Sequence, residues 1–207
     1  EFAQAISLAQ EALAVPSQTP VMRWPPSLAL GLARSRSGGA DALVILEECL
    51  ATALAVGEAQ LILPTCRALA EAHWLREDLA QARDVVTLGW SHRSHADDPW
   101  LTGPLMVWAY RLGLSLDAEP SVPEIFQWEM NGQASRAAQQ WAALGAPFEQ
   151  AVCLVGTGAE GLLQAAQLFA ELGASPALAL ARATARVQGV RGVARGPYTA
   201  ARYHHLG

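Results

Sequence analysis

His92 and His95 stand three residues apart, so on a helix they share one face, and Asp97 and Asp98 follow as possible oxygen donors. Two imidazoles on one turn could hold zinc, but structural and catalytic zinc sites take three or four protein ligands. The pair is read as a solvated helix end, and no metal is expected. Gly156-Thr-Gly158-Ala-Glu-Gly161 has the GxGxxG spacing of a dinucleotide-binding turn and follows the apolar run Ala151-Val-Cys-Leu-Val155. That fingerprint needs a strand before it, a helix and a second strand after it, and an acidic residue about 20 positions on. Glu171 comes too early and repeat-type helices lie on both sides, so the run is read as an interhelical loop and no cofactor is expected.

Cys49, Cys66 and Cys153 are isolated, with no CxxC pair and an odd total. They are expected as reduced thiols of an intracellular, cytoplasmic protein. They have no recognisable His/Asn partner signature, and no Gly-x-Ser-x-Gly elbow occurs. Glu47-Glu48 and Glu71 with Glu77 fall on amphipathic helices, where a solvated face is the expectation. All 14 basic residues are arginine. Without lysine the chain cannot form a Walker A phosphate loop, a Schiff base or a kinase-type ATP lysine. The lysine-free composition itself is read as codon usage in GC-rich DNA. The expectation is a protein that is not an enzyme.

Seven tryptophans, Trp24, Trp74, Trp90, Trp100, Trp108, Trp128 and Trp141, are the residue set best suited to recognition. Trp74 and Trp141 occupy apolar faces of the helical pattern and read as core knobs. Trp108, Tyr110, Arg111 and Trp128 lie around an irregular middle segment. There they either line a concave ligand or partner surface or pack the core.

The elements that must position these residues are helices. An Ala-x3-bulky pattern recurs as Ala42/Leu46, Ala82/Val86, Ala137/Trp141 and Ala165/Phe169, placing a small and a large side chain on one helix face. The first two copies are 40 residues apart, the next step is 55, and the last two copies share the flanks Trp141-Ala-Ala-Leu-Gly-Ala-Pro147 and Phe169-Ala-Glu-Leu-Gly-Ala-Ser-Pro176. Helical hairpins of roughly 34–47 residues stack into solenoids. The spacing of Gly and Pro predicts helices over 2–13, from Pro25-Pro26 to Gly38, and over 40–56, 58–75, 78–95, 99–112, 124–130, 133–144, 147–155, 159–172 and 176–188. No alternating strand pattern is present. The expected fold is all-α, an α-α superhelix of antiparallel hairpins with tetratricopeptide-like repeats over 1–188. A Gly/Arg-rich linker follows over 189–207.

The net charge of −5 is uneven: no acidic residue follows Glu171, whereas Arg182, Arg186, Arg191, Arg195 and Arg202 do. These arginines alternate with glycine and alanine, which suits a linker or a helix end as well as a nucleic-acid contact. No uncharged run exceeds twelve residues, short of the roughly 18–20 that span a bilayer, and no signal segment opens the chain. No membrane partner is expected. Glu1-Phe2 begins inside a helical pattern, as a fragment or a cloning remnant would. The end of an excised solenoid exposes apolar residues, here Phe2, Ile6 and Leu13, and a homodimer through such ends is expected.

Gly189-Val-Arg-Gly-Val-Ala-Arg-Gly-Pro197 resembles a linker found in large bacterial LuxR-type transcriptional regulators, which combine an ATPase module, a long tetratricopeptide-like region and a C-terminal helix-turn-helix. In that family the run reads Gly-Val-Arg-Gly-Val-Pro-Arg-Gly-Pro-Arg; Ala194 and Tyr198 depart from it, as do His204-His205 where Asn-Pro is usual. The resemblance extends to Leu32-Ala-Arg-Ser-Arg-Ser-Gly-Gly39, Ala70-Glu-Ala-His-Trp-Leu-Arg-Glu-Asp-Leu-Ala-Gln-Ala82 and Trp141-Ala-Ala-Leu-Gly-Ala-Pro-Phe-Glu149. It implies a non-catalytic sensor and interaction scaffold that receives a small-molecule effector or protein partner. DNA would then be reached only through a domain outside this chain. The alternative is a free-standing helical-repeat adaptor for a protein or peptide.

Overall fold

Eleven helices and no strand make up the described residues of the chain. The structure is a computed structural model that describes residues 2–93, 98–116 and 121–194. In chain order the helices are α1 (Phe2–Leu13), α2 (Pro20–Ser37), α3 (Ala42–Val56), α4 (Ala59–Leu75), α5 (Leu79–Ser91) and α6 (Pro99–Arg111). They continue as α7 (Glu124–Met130), α8 (Ala134–Ala143), α9 (Pro147–Leu154), α10 (Ala159–Leu172) and α11 (Ser175–Gln188). Polar caps start several of them: Asp78 accepts from the Gln81 N–H at 3.2 Å and Asp98 from the Trp100 N–H at 2.8 Å, each satisfying a backbone donor that has no partner inside the helix. At the other ends the chain turns just past α2, α10 and α11, where Gly39, Ala174 and Val190 donate back to the carbonyls of Arg34, Phe169 and Ala185.

Two boundaries differ from the sequence expectation: α5 ends at Ser91, with His92 as its cap, short of the expected 95, and the start of α2 is shifted. α2 starts at Pro20, with Thr19 accepting from the Met22 N–H at 3.3 Å, and Pro25-Pro26 lie inside the helix rather than at its start. Each interior proline removes one backbone donor, a loss of about 3 kcal/mol in an isolated helix. The helix continues through them because Thr19 and Pro20 begin it well and because it packs along α1 on one side and α3 on the other.

The Ala-x3-bulky pairs form the interior. Ala42/Leu46, Ala82/Val86 and Ala165/Phe169 are buried together, and Ala137 is buried beside the half-buried Trp141. The alanines let helix axes approach, and each large partner contributes roughly 1.5–3 kcal/mol by leaving water. Every helix packs on its successor, and α4 also touches α2, α6 and α11. Twelve of its 17 residues are buried, so a charge on α4 must find its partner inside the protein.

The helix array closes on itself. α11 packs on α2, with Pro176 against Gly38. At the chain's start, Phe2 meets Phe148 of α9 edge-on at 6.3 Å, and Phe148 meets Phe169 at 5.5 Å. Phe2, expected at an exposed end, is half-buried by this contact, as are Ile6 and Leu13 in α1. Leu8, Val15, Val21 and Met22 are the exposed apolar residues of this region. Beyond α11, Val190 and Val193 pack on the core and Arg182 donates twice to the Ala194 carbonyl, at 2.9 and 2.6 Å. The segment therefore stays on the helical body as far as Ala194; Arg195, Arg202 and His204-His205 lie outside the described residues. Among the described residues no helix is long and apolar enough to cross a membrane.

Candidate functional site

Glu71 sits on α4 and is 2% exposed, which overturns its assignment to a solvated face; Glu47, Glu48 and Glu77 are exposed. The carboxylate remains charged because it is surrounded by guanidinium groups. Arg36 from α2 donates Nε to Oε1 at 2.6 Å and Nη2 to Oε2 at 3.1 Å, a fork-to-fork pair, while Arg67, one turn before Glu71, donates to Oε2 at 3.1 Å. The same Nη2 of Arg36 reaches Glu149 of α9 at 2.7 Å, and Arg67 lies 3.7 Å from that carboxylate. Burial would raise the Glu71 carboxyl; Arg36, Arg67 and Arg111 outweigh it and hold the group below the usual carboxylate range. Burial would likewise lower Arg36, and Glu71 with Glu149 raise it instead. Arg36 also lies over the Phe148 ring, 3.9 Å from its centroid.

A second pair stands across from this cluster. Arg111 at the end of α6 donates Nε and Nη2 to the two oxygens of Glu129 on α7, at 2.6 and 2.9 Å, and covers Trp108 at 4.8 Å. Between the two clusters lies a cavity of about 410 Å³, within the usual size range of small-molecule sites. Its floor and walls are aromatic. Trp100, Phe126 and Trp141 run along it, with centroid separations of 5.6 and 6.0 Å, and Trp108 and Phe148 complete the lining. Gly103 makes the placement of Phe126 possible, since a Cβ there would collide with the Phe126 ring.

Arg111, Glu129 and Val152 also border a more open cavity of about 710 Å³ that contains Trp74, Tyr110 and Cys153. The Arg111–Glu129 pair is thus a partition between two spaces. Of the four residues singled out from the sequence, Trp108 and Arg111 line the aromatic cavity, while Tyr110 and Arg111 line the open one. Trp128 lines neither; its ring is covered by Arg136 at 4.0 Å. Trp108 is 2% exposed and stacks edge-on with Trp74 at 5.5 Å, so it both packs the core and forms a wall.

Elsewhere the candidate chemistry is otherwise engaged. His92 ends α5, with Nδ1 2.9 Å from the Leu88 carbonyl; His95 and Asp97 lie outside the described residues. Among the described residues no three His, Cys, Asp or Glu side chains cluster as metal ligands. The glycines of 156–161 occupy the loop between α9 and α10: Gly158 has a φ of +90°, and a Cβ on Gly161 would press on the Thr157 hydroxyl and the Leu154 carbonyl. A helix rather than a strand precedes the run, and only Gly158, by its φ, and Gly161, by close packing, call for glycine there. All three cysteines are free and buried. Burial raises the thiols of Cys49 and Cys66 to about 11 and about 12; burial and the neighbouring Glu129 raise Cys153.

Arg36, Arg67, Glu71, Glu129 and Glu149 were not legible as site residues from sequence. One signal was present: Arg67 and Glu71 form an i,i+4 pair on a helix whose other residues, apart from Gln60, Thr65 and His73, are apolar. Comparison with protein-family models, with curated proteins and with solved structures gives no match.

Proposed function

We propose that this chain is the non-catalytic effector-receiving domain of a LuxR-type transcriptional regulator, a tetratricopeptide-like scaffold whose ligand enters the aromatic cavity. The observation that carries this reading is that two carboxylates of the cavity wall also tie together helices far apart in the chain. Glu71 and Glu149 line the space and also hold Arg36 of α2. A ligand that contacts them has different interaction energies with closed and opened arrangements, which is what transmission of a binding signal requires. Three segments that resemble the regulator family contribute Arg36, Glu71 and the Trp141–Glu149 stretch, and they converge on this one place. The non-catalytic reading draws support from the carboxylates, each tied to arginine rather than held ready for proton transfer.

Titration with a fluorescent apolar anion, 1-anilinonaphthalene-8-sulfonate, tests the cavity. Saturable binding that Trp141→Ala weakens at least about tenfold supports a ligand site; binding unaffected by Trp141→Ala removes it. The regulator assignment is tested on the parent gene. A helix-turn-helix within roughly 70 codons after Gly207 supports it, and a stop codon there favours the free-standing adaptor.

A further inference from the structure

The aromatic cavity has a chemical polarity that its formal charges do not reveal. Arg36, Arg67 and Arg111 balance Glu71, Glu129 and Glu149 one for one, yet donors and acceptors are used unequally. Both oxygens of Glu71 accept from arginine, and both oxygens of Glu129 accept from Arg111, one of them also from the Cys153 thiol at 3.0 Å. On the donor side, among the described residues, Arg67 makes its contacts only through Nη2 and Arg111 only through Nε and Nη2. Arg67 Nε and Nη1 and Arg111 Nη1 therefore remain as donors. None of them is a sealed, unpartnered atom, so they face accessible space, and the Arg67 side chain is a quarter exposed. Among the described residues, Glu149 Oε2 is the one carboxylate oxygen of the two clusters without a protein donor.

The ring faces are divided in the same way. Arg36 covers Phe148 and Arg111 covers Trp108, so the cation-binding faces of those two rings are already occupied. Among the described residues, no guanidinium covers Trp100, Phe126 or Trp141, and their rings, inclined at 75° and 56° from one to the next, offer apolar faces and edges. We infer that the site takes an aromatic carboxylate, its ring system packed among the mutually inclined rings of Trp100, Phe126 and Trp141 and its carboxylate accepting from Arg67. The inference rests on the cavity being the ligand site, as proposed above. A free guanidinium N–H gives a carboxylate a charge-assisted hydrogen bond, and the low-dielectric aromatic surroundings strengthen that pair. An ammonium ligand meets Glu149 Oε2 and the uncovered ring faces, but it approaches the like-charged free ends of Arg67 and Arg111.

Calorimetric titration of the folded chain with three isosteric probes tests this: 2-naphthoate, 2-naphthylmethanol and 2-naphthylmethylammonium. The expected result is binding of naphthoate at least about tenfold tighter than naphthylmethanol, with the ammonium weakest. Arg67→Gln is expected to collapse the difference between naphthoate and naphthylmethanol, and Arg67→Lys to restore part of it. Naphthoate and naphthylmethanol binding equally, or the ammonium binding most tightly, overturns the carboxylate preference and leaves the cavity standing as a ligand site. A preference for naphthoate that survives Arg67→Gln overturns the role of Arg67. Failure of all three probes to bind overturns the inference together with the cavity reading.

Discussion

Arg36 of α2 and Glu149 of α9, 113 positions apart, share a hydrogen bond of 2.7 Å inside the protein. The same guanidinium holds Glu71 through Nε and through that same Nη2, so one side chain joins α2, α4 and α9.

Removing that side chain strands a buried carboxylate. Arg36→Met is expected to cost about 3–5 kcal/mol in urea unfolding, because Glu71 loses two of its three donors in a place where water cannot replace them. Arg36→Met combined with Glu71→Leu is expected to regain part of the loss. A double variant whose cost equals the sum of the single costs would show that the two groups are not coupled.

The melting temperature should fall in two stages on acidification. Burial lowers the His73 imidazole below its ordinary 6.5, despite the opposing carboxylates of Asp78 and Glu47; the neutral ring's contribution is complete above 6.5 and is lost as pH falls from there through the folded value. The Glu71 carboxyl is held below its ordinary 4.5, with its arginine partners outweighing burial, so its contribution is present above 4.5 and is lost as pH falls through the lower, folded value. Calorimetry should show His73→Gln removing the first stage. Glu71→Gln should remove the second while lowering stability at neutral pH.

Gly103→Ala is expected to destabilise by about 1–3 kcal/mol, since the added methyl meets the Phe126 ring. Phe126→Leu in the same chain should relieve part of that strain. Thermal unfolding gives the stability, and tryptophan emission reports whether Trp100 and Trp141, the ring neighbours of Phe126, shift with it.

The native thiols should be unreactive. With Cys49 raised to about 11, Cys66 to about 12 and Cys153 also raised, little thiolate exists at pH 8, and all three side chains are buried. A chromogenic disulfide reagent is expected to titrate no cysteine on the minute scale in buffer and all three in guanidinium. Fast reaction of one thiol in buffer would locate a part of the core that opens.

The local structure was legible because short-range chemistry sets it. Ala42/Leu46, Ala82/Val86 and Ala165/Phe169 show their helix faces in sequence, Asp78 caps α5, and Gly38 and Gly57 end α2 and α3. Pro25-Pro26 misled because proline favours a helix start locally, whereas contacts with α1 and α3 maintain the helix through it. The site was half legible. Trp108 and Arg111 stand in the irregular middle segment and do line the cavity, but Arg36 and Glu149 acquire their meaning only from a contact across 113 residues. Glu71 stands on a mostly apolar helix with Arg67 one turn away, but its two-donor partner Arg36 is supplied by α2, not by its own segment.

The seating of α11 on α2 alters how the chain must fold. An open row of helical repeats can nucleate anywhere, propagate stepwise and fray from either end. Here neither terminal helix borders only its sequence neighbour, and the Arg36–Glu149 bond forms only after a long loop has closed. Contacts of that separation slow the folding of a helical protein relative to one built from local pairs. They also couple distant parts of the chain, so detaching α11 would expose the flank of α2 as well as that of α10.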